Sequence, residues 1–230
     1  MIILPTVWLH GAGLSPSTWG EVTSGFSDVM LLALPGHADA ARVSEPSVEA
    51  FADAIEPMLP DRFTLIAHSL GGMVALELAS RHSERVNALV LIETVATVRA
   101  PYAQRLQAFV ALQVMRLLGP GVLAHVSGWG QPEATASHLH EQLSGISHAA
   151  MMDALRAAYA YDARARLKLI DAPTLILSGR RSRQIMASSE HMANAIPDAV
   201  CKVLPGGHML HVDSPGLVRN AIEEFLTHHR

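Results

Sequence analysis

The sequence predicts a three-layer α/β/α sandwich on a mostly parallel sheet of about six strands, with a helical lid inserted into it. Short apolar runs alternate with longer helix-like segments. The runs are almost wholly apolar, as in parallel strands covered on both faces, and do not alternate apolar with polar. From about Thr97 to Arg166 the alternation of runs and helices stops and only helical spacing remains.

Taken in order, strands are expected at Thr6–His10, Val29–Leu34, Phe63–His68, Ala88–Glu93, Thr174–Ser178 and Val200–Leu204. Helices are expected at Val48–Leu59, Leu70–Arg81, Ser188–Ile196 and Leu217–His228, with start signals at Pro46-Ser47 and Ser214-Pro215. In the insertion, Gln104–Leu118 and His148–Tyr161 have amphipathic spacing, and Gly119-Pro120-Gly121 and Gly128-Trp129-Gly130-Gln131-Pro132 interrupt it. The expected division is a core of residues 1–96 and 167–230 and a lid of residues 97–166 that is not an independent domain.

Composition narrows the function classes. A chain of 230 residues, 50% hydrophobic and 17% charged, suits one soluble globular domain with a large core. A formal charge of −4 creates no field for nucleic acid or an anionic membrane, so neither is an expected partner. Cys201 stands alone, which excludes an intrachain disulfide and a cysteine-based metal site. His138 and His140 lack a third ligand in convincing arrangement, so no metal and no cofactor are expected. No apolar run reaches the roughly 18 residues of a spanning helix. The start, MIILPTVWLHGAG, lacks a basic region and a good cleavage site, and the expected location is cytoplasmic.

Ligands of open parallel sheets bind outside the carboxyl ends of the strands. The residues expected there are His10-Gly11, Pro35-Gly36-His37, His68-Ser69, Glu93, Ser178-Gly179 and Pro205-Gly206-Gly207-His208. In AHSLGG, residues 67–72, a strand enters and a helix leaves, and Ser69 is flanked by Ala67 and Gly71. So sharp a turn strains the serine and needs small neighbours, and it sets the hydroxyl at a helix N-terminus. This stretch resembles the nucleophile elbow of the α/β-hydrolase family, with Ala67 where the first glycine is usual.

The resemblance covers essentially the whole chain and implies further roles. LHGAGLSPSTW, residues 9–19, resembles the oxyanion loop, which would place the N–H of Ala12 beside that of Leu70. LPGH, residues 34–37, matches the loop after the next strand without evident chemistry. PGGHMLHVDSP, residues 205–215, puts His208 near the C-terminus as general base, with His211 structural. The chain departs from the family at its start, where only Met1–Leu4 are available for the hairpin that is usual before the first strand.

The acid is a second departure. The family's aspartate usually follows the next-to-last strand; Ser182 stands there, among Arg180, Arg181 and Arg183 with no carboxylate beside them. Asp171 precedes its strand, Asp162 ends the lid, and Asp213 is expected to cap or precede the last helix. Glu93 ends the strand after the nucleophile's, at the edge where some lipase-like members carry their acid, and it is the expected partner of His208. A Ser–His pair without an acid, Asp213 as the acid, and Glu93 as a merely structural group stay open.

The expected activity is hydrolysis of an ester, thioester or related acyl bond through a Ser69 acyl-enzyme. The expected substrate is a small, partly apolar molecule, possibly anionic or carrier-bound, and Met115, Met151 and Met152 suit an apolar group or ordinary lid packing. Arg180 and Arg181 would serve as an anion handle or as a solvated loop. A C–C bond hydrolase or lyase, and a non-catalytic ligand-binding protein, are the other classes on this fold. The expected assembly is a monomer or homodimer.

Overall fold

The structure, a computed structural model, describes residues 4–99 and 130–229 together with Leu106, Phe109, Val110, Gln113, Val114, Arg116 and Leu117. Its strands are β1 (Thr6–Leu9), β2 (Val29–Leu32), β3 (Phe63–His68), β4 (Val86–Ile92), β5 (Thr174–Gly179) and β6 (Ala199–Leu204). They form one six-stranded sheet in the order β2-β1-β3-β4-β5-β6, every neighbouring pair parallel. The helices are α1 (Val48–Ile55), α2 (Leu70–Arg81), α3 (Glu133–Ser144), α4 (His148–Ala160), α5 (Arg183–Ala195), α6 (Leu210–Asp213) and α7 (Pro215–His228).

The central strands follow the expected pattern. β1, β3 and β5 are buried at every residue, since α2 and its neighbours cover one face and α7 the other. The edges depart from it. β2 is only partly covered, and β6 is exposed from Val200 to Val203, because an edge strand has a partner on one side only.

Local chemistry sets the helix boundaries. α1 begins where the Ser47 hydroxyl accepts the Ala50 N–H at 3.0 Å, and it buries Val48, Phe51, Ala52 and Ile55 on one face. The spacing predicts a helix to Leu59, but the α-helix stops at Ile55 and a 3₁₀ turn, Glu56–Met58, follows, because Pro57 has no N–H to continue it. α5 starts at Arg183, five residues before the expected start at Ser188, and α3 was not anticipated at all. The helix expected over Gln104–Leu118 falls largely outside the described residues.

The two ends of the insertion meet at its base. Thr97 pairs with Asp162 in an antiparallel bridge, and the Ala163 N–H donates to the Ala96 carbonyl at 2.8 Å. Beside them the fully buried Glu77 of α2 accepts from Tyr161 Oη at 3.0 Å and from Arg81 Nε at 2.7 Å, with Arg166 Nε at 3.3 Å. A buried carboxyl group is costly without such donors, and here they also fasten the returning chain to α2. Replacing Tyr161 with Phe removes one donor and little volume, so it should cost about 1–2 kcal/mol of stability in urea titration. An unchanged midpoint would show that ring packing alone anchors the segment.

Candidate active site

Ser69 is the single residue between β3 and α2, and the turn forces it to φ 51, ψ −116. A serine held there stores about 1–3 kcal/mol of strain, so its surroundings must over-determine it. Its N–H donates to the Ile92 carbonyl at 3.0 Å, and its carbonyl accepts from Thr94 Oγ1 at 2.6 Å and Met73 N at 3.2 Å. Small neighbours are obligatory. A Cβ on Gly71 would lie 2.5 Å from the carbonyl oxygens of Leu9 and His10. The start of α2 therefore rests on the end of β1, bringing the Gly11-Ala12 loop beside Ser69. Among the described residues, the N–H groups of Ala12 and Leu70 donate to no other group.

His208 arrives from the loop after β6, with Nε2 3.1 Å from Ser69 Oγ. Its Nδ1 lies 3.4 Å from Glu93 Oε2. Glu93 sits one residue beyond β4 with φ 50, and its side chain has no solvent exposure. Its backbone N–H continues the sheet by donating to the Leu177 carbonyl at 2.9 Å, and its Oε1 accepts from the Gly179 N–H. Oε2 has no hydrogen-bond partner at ordinary distance among the described residues; it faces only the imidazole. The structure thus brings Ser69, His208 and Glu93 together, with Leu70 next to the serine and Gly11, the neighbour of Ala12, close against it.

The residues around the vacated aspartate position have other tasks. Ser182 precedes α5, closes a turn onto the Gly179 carbonyl at 2.9 Å, and makes no side-chain cap. Arg181 is not without a carboxylate, as the sequence suggested: its guanidinium meets Asp213 Oδ2 at 2.6 Å. Asp213 ends α6 and precedes α7, as expected, while Ser214 stands at the N-cap of α7, so the Asp213 carboxylate does not cap that helix. Arg180 is exposed and has no ion-pair partner among the described residues. Met151 and Met152 are buried with Leu143, and a Cβ on Gly13 would lie 2.5 Å from both Met151 Cε and Leu143 Cδ2. These helices thus press on the loop that carries Ala12; Met115 lies outside the described residues.

Sequence reasoning passed over most of the buried histidines. His10 Nε2 accepts the Leu34 N–H at 3.1 Å, and His37 Nε2 accepts the Gly13 N–H at 3.0 Å, so both brace the Ala12 loop as neutral rings. His68 donates from Nε2 to the His208 carbonyl at 2.8 Å. His211 Nε2 and His138 Nε2 both meet Thr18 Oγ1, at 2.8 and 2.9 Å. Burial, then the neighbouring His37, lowers His10 to about 3; burial, then His138 and His208, lowers His211 to about 3. Burial holds His68 well below the ordinary range, with His211 and His208 adding to it.

A profile of the alpha/beta hydrolase family matches residues 6–221, and the chain belongs to that family. Among individual proteins, it is 46% identical over 92 residues to a pimeloyl-[acyl-carrier protein] methyl ester esterase of Aromatoleum aromaticum, covering 38% of this chain and 36% of that one. It is 28% identical to the Neisseria meningitidis serogroup C protein of the same name, covering 71% of this chain and 65% of the other. The Nitrosomonas europaea protein of that name is 26% identical, covering 91% of this chain and 90% of its own. The alignments with the first two span less than two thirds of those proteins' lengths. In three dimensions the chain matches MenH from S. aureus with a TM-score of 0.87 and 25% identity, covering 98% and 94% of the two chains. No helix among the described residues is long and apolar enough to cross a membrane.

The neutral histidines make stability depend on pH with a definite sign. Folded, His10 and His211 take up protons only near 3, whereas in the unfolded chain they do so near 6.5. Below about 6.5 the unfolded state binds more protons, so stability is lost as pH falls toward 3, by up to about 1.4 kcal/mol per unit for each group. Urea midpoints at about pH 7 and about pH 5 should differ accordingly, and His211→Asn should flatten the dependence. Equal slopes in parent and variant would remove His211 from the account.

Proposed function

We propose that this chain is an ester-cleaving serine hydrolase acting on a small or carrier-bound, partly apolar acyl substrate. The observation that carries the reading is the line Ser69 Oγ, His208 Nε2, His208 Nδ1, Glu93 Oε2, with gaps of 3.1 and 3.4 Å. His208 takes the proton from Ser69 as Oγ attacks the acyl carbon, and the carbonyl oxygen gains negative charge. The N–H groups of Ala12 and Leu70 receive that oxygen, and the N-terminus of α2 favours its charge. The imidazolium returns the proton to the departing alkoxide, leaving an acyl-enzyme. Water attacks the acyl carbon, gives its proton to His208, and the carboxylic acid leaves as Ser69 regains its hydrogen.

Glu93 supports each imidazolium. Its fixed carboxylate keeps Nδ1 protonated and Nε2 free to accept, and closing the 3.4 Å gap by about half an ångström gives a charge-assisted hydrogen bond. Ser182 has no such capacity. The ester specificity is supported by family membership and by the esterases among the relatives, whose names also point to a carrier-bound acyl group. The inserted segment is the proposed lid, with α3 and α4 as its described helices, and Arg180, exposed and without an ion-pair partner among the described residues, is a cation available to an anionic substrate or carrier.

A fluorophosphonate should label Ser69, and Ser69→Ala should lose both label and ester turnover; a folded protein that never labels contradicts the proposal. Glu93→Gln should lower kcat by roughly 10²-fold or more while Ser182→Ala stays within about threefold. Near-normal turnover in folded Glu93→Gln would sink the assignment of the acid. Arg180→Ala should raise KM for anionic esters and leave neutral ones alone; equal effects on both would make Arg180 a solvated charge only.

A further inference from the structure

The side chain of Asp213 is only 4% exposed and gathers donors from three parts of the chain. Its Oδ2 accepts the Gly207 N–H at 2.7 Å and an Arg181 NH2 donor at 2.6 Å. Its Oδ1 accepts from Thr135 Oγ1 at 2.6 Å, and Thr135 belongs to the inserted helix α3. Gly207 immediately precedes His208, whose own carbonyl is held by His68 at 2.8 Å. The main chain is therefore pinned on both sides of the His208 Cα. A Cβ on Gly207 would stand 3.3 Å from Arg181 Nε and 3.6 Å from Asp213 Oδ2, so the loop is wedged as well as bonded.

The face of α3 that meets Asp213 also meets the segment after the Ala12 loop. Thr135, His138 and Gln142 are spaced i, i+3 and i+7, one helical stripe. His138 meets Thr18, which also meets His211 of α6. Gln142 Oε1 accepts from Ser15 N at 2.7 Å, and Gln142 Nε2 donates to Ser17 Oγ at 3.0 Å. Hydrogen bonds, more than apolar packing, thus seat this helix on two loops that line the candidate site.

We propose that Asp213 is a positioning residue for His208, and that through Thr135 it ties the placement of the histidine to the seating of α3. The inference rests on the serine-hydrolase reading. A carboxylate suits the task because its two oxygens accept from three converging donors. An amide offers one accepting oxygen: asparagine can keep the Gly207 bond on it with its NH2 turned to the Thr135 hydroxyl, which can accept, but it loses the negative charge that holds Arg181. Alanine keeps none. Loss of the anchor lets the imidazole drift, and displacements of about 1 Å from reactive geometry cost on the order of 10²-fold in rate.

The test compares Asp213→Ala, Asp213→Asn and Thr135→Val in the full chain, using a short neutral ester, thermal unfolding, and NMR of the His208 ring with His208→Gln for assignment. Asp213→Ala should lower kcat by about tenfold or more with KM within about threefold, and shift or broaden the His208 signal. Asparagine should recover part of kcat and of the signal, and Thr135→Val should move both in the same direction by less. A folded Asp213→Ala protein with kcat within about twofold of the parent and an unmoved His208 signal overturns the proposal. So does a fall in kcat that only follows a fall in Tm with the signal unmoved. The NMR reading needs no turnover. If Ser69→Ala kept its activity, the hydrolase reading would fail, while the placement of His208 by Asp213 would still be decided.

Discussion

Glu93 sets a carboxyl group with no solvent exposure between the ends of two neighbouring strands, and a group so placed must be met by donors or it destabilises the fold. One donor comes from the sheet. β4 and β5 pair as far as Ile92 and Leu177, so the next residues bring the Gly179 N–H onto Oε1. The remaining oxygen, Oε2, faces the His208 imidazole alone. The loop after β6 must therefore turn back across the sheet edge. Its turn is what places Nε2 at the serine, and what makes the pinning of Gly207 and His208 matter.

Around this line the protein uses imidazoles as neutral hydrogen-bonding parts. The sequence contains 13 histidines, and His10, His37, His68 and His211 are buried. A ring can donate from one nitrogen and accept at the other, which suits the mixed carbonyls and N–H groups of loops at strand ends. His37 does both, with Gly13 on Nε2 and the Pro35 carbonyl on Nδ1 at 3.1 Å. Each such ring holds shape without introducing charge.

The sequence disclosed most where chemistry is local. Ser69 was readable because its neighbours Ala67, Gly71 and Gly72 are small, and the reason is visible in the contact between Gly71 and the end of β1. The expectation for Glu93 came from its place at a strand end, and parallel pairing alone brings the Gly179 N–H to its carboxylate. Other features depend on contacts far apart in the chain. Asp213 and Thr135 are 78 residues apart, and no spacing rule links them. Helix α3, EATASHLHEQLS, escaped notice because its docking face is partly polar: Thr135, His138 and Gln142 serve as hydrogen-bonding groups where an apolar stripe would have been recognised. The exposure of β6 was hidden for a related reason, since Val200 and Val203 read as core until the strand is known to be the edge.

The donor that Glu93 takes from β5 belongs to the main chain, not to a side chain. Substitution at Arg180, Ser182 or Arg183 leaves it in place, because the N–H belongs to Gly179, where a Cβ would lie 2.6 Å from the Gly206 carbonyl oxygen. An aspartate on that loop would have bound the loop's sequence to the reaction. On the proposed assignment of Glu93 as the acid, the carboxylate sits on the neighbouring strand and the loop keeps a structural obligation through Arg181. The remainder is open to variation, a surface on which selection, or a designer, can alter what the protein recognises without redrawing what it does.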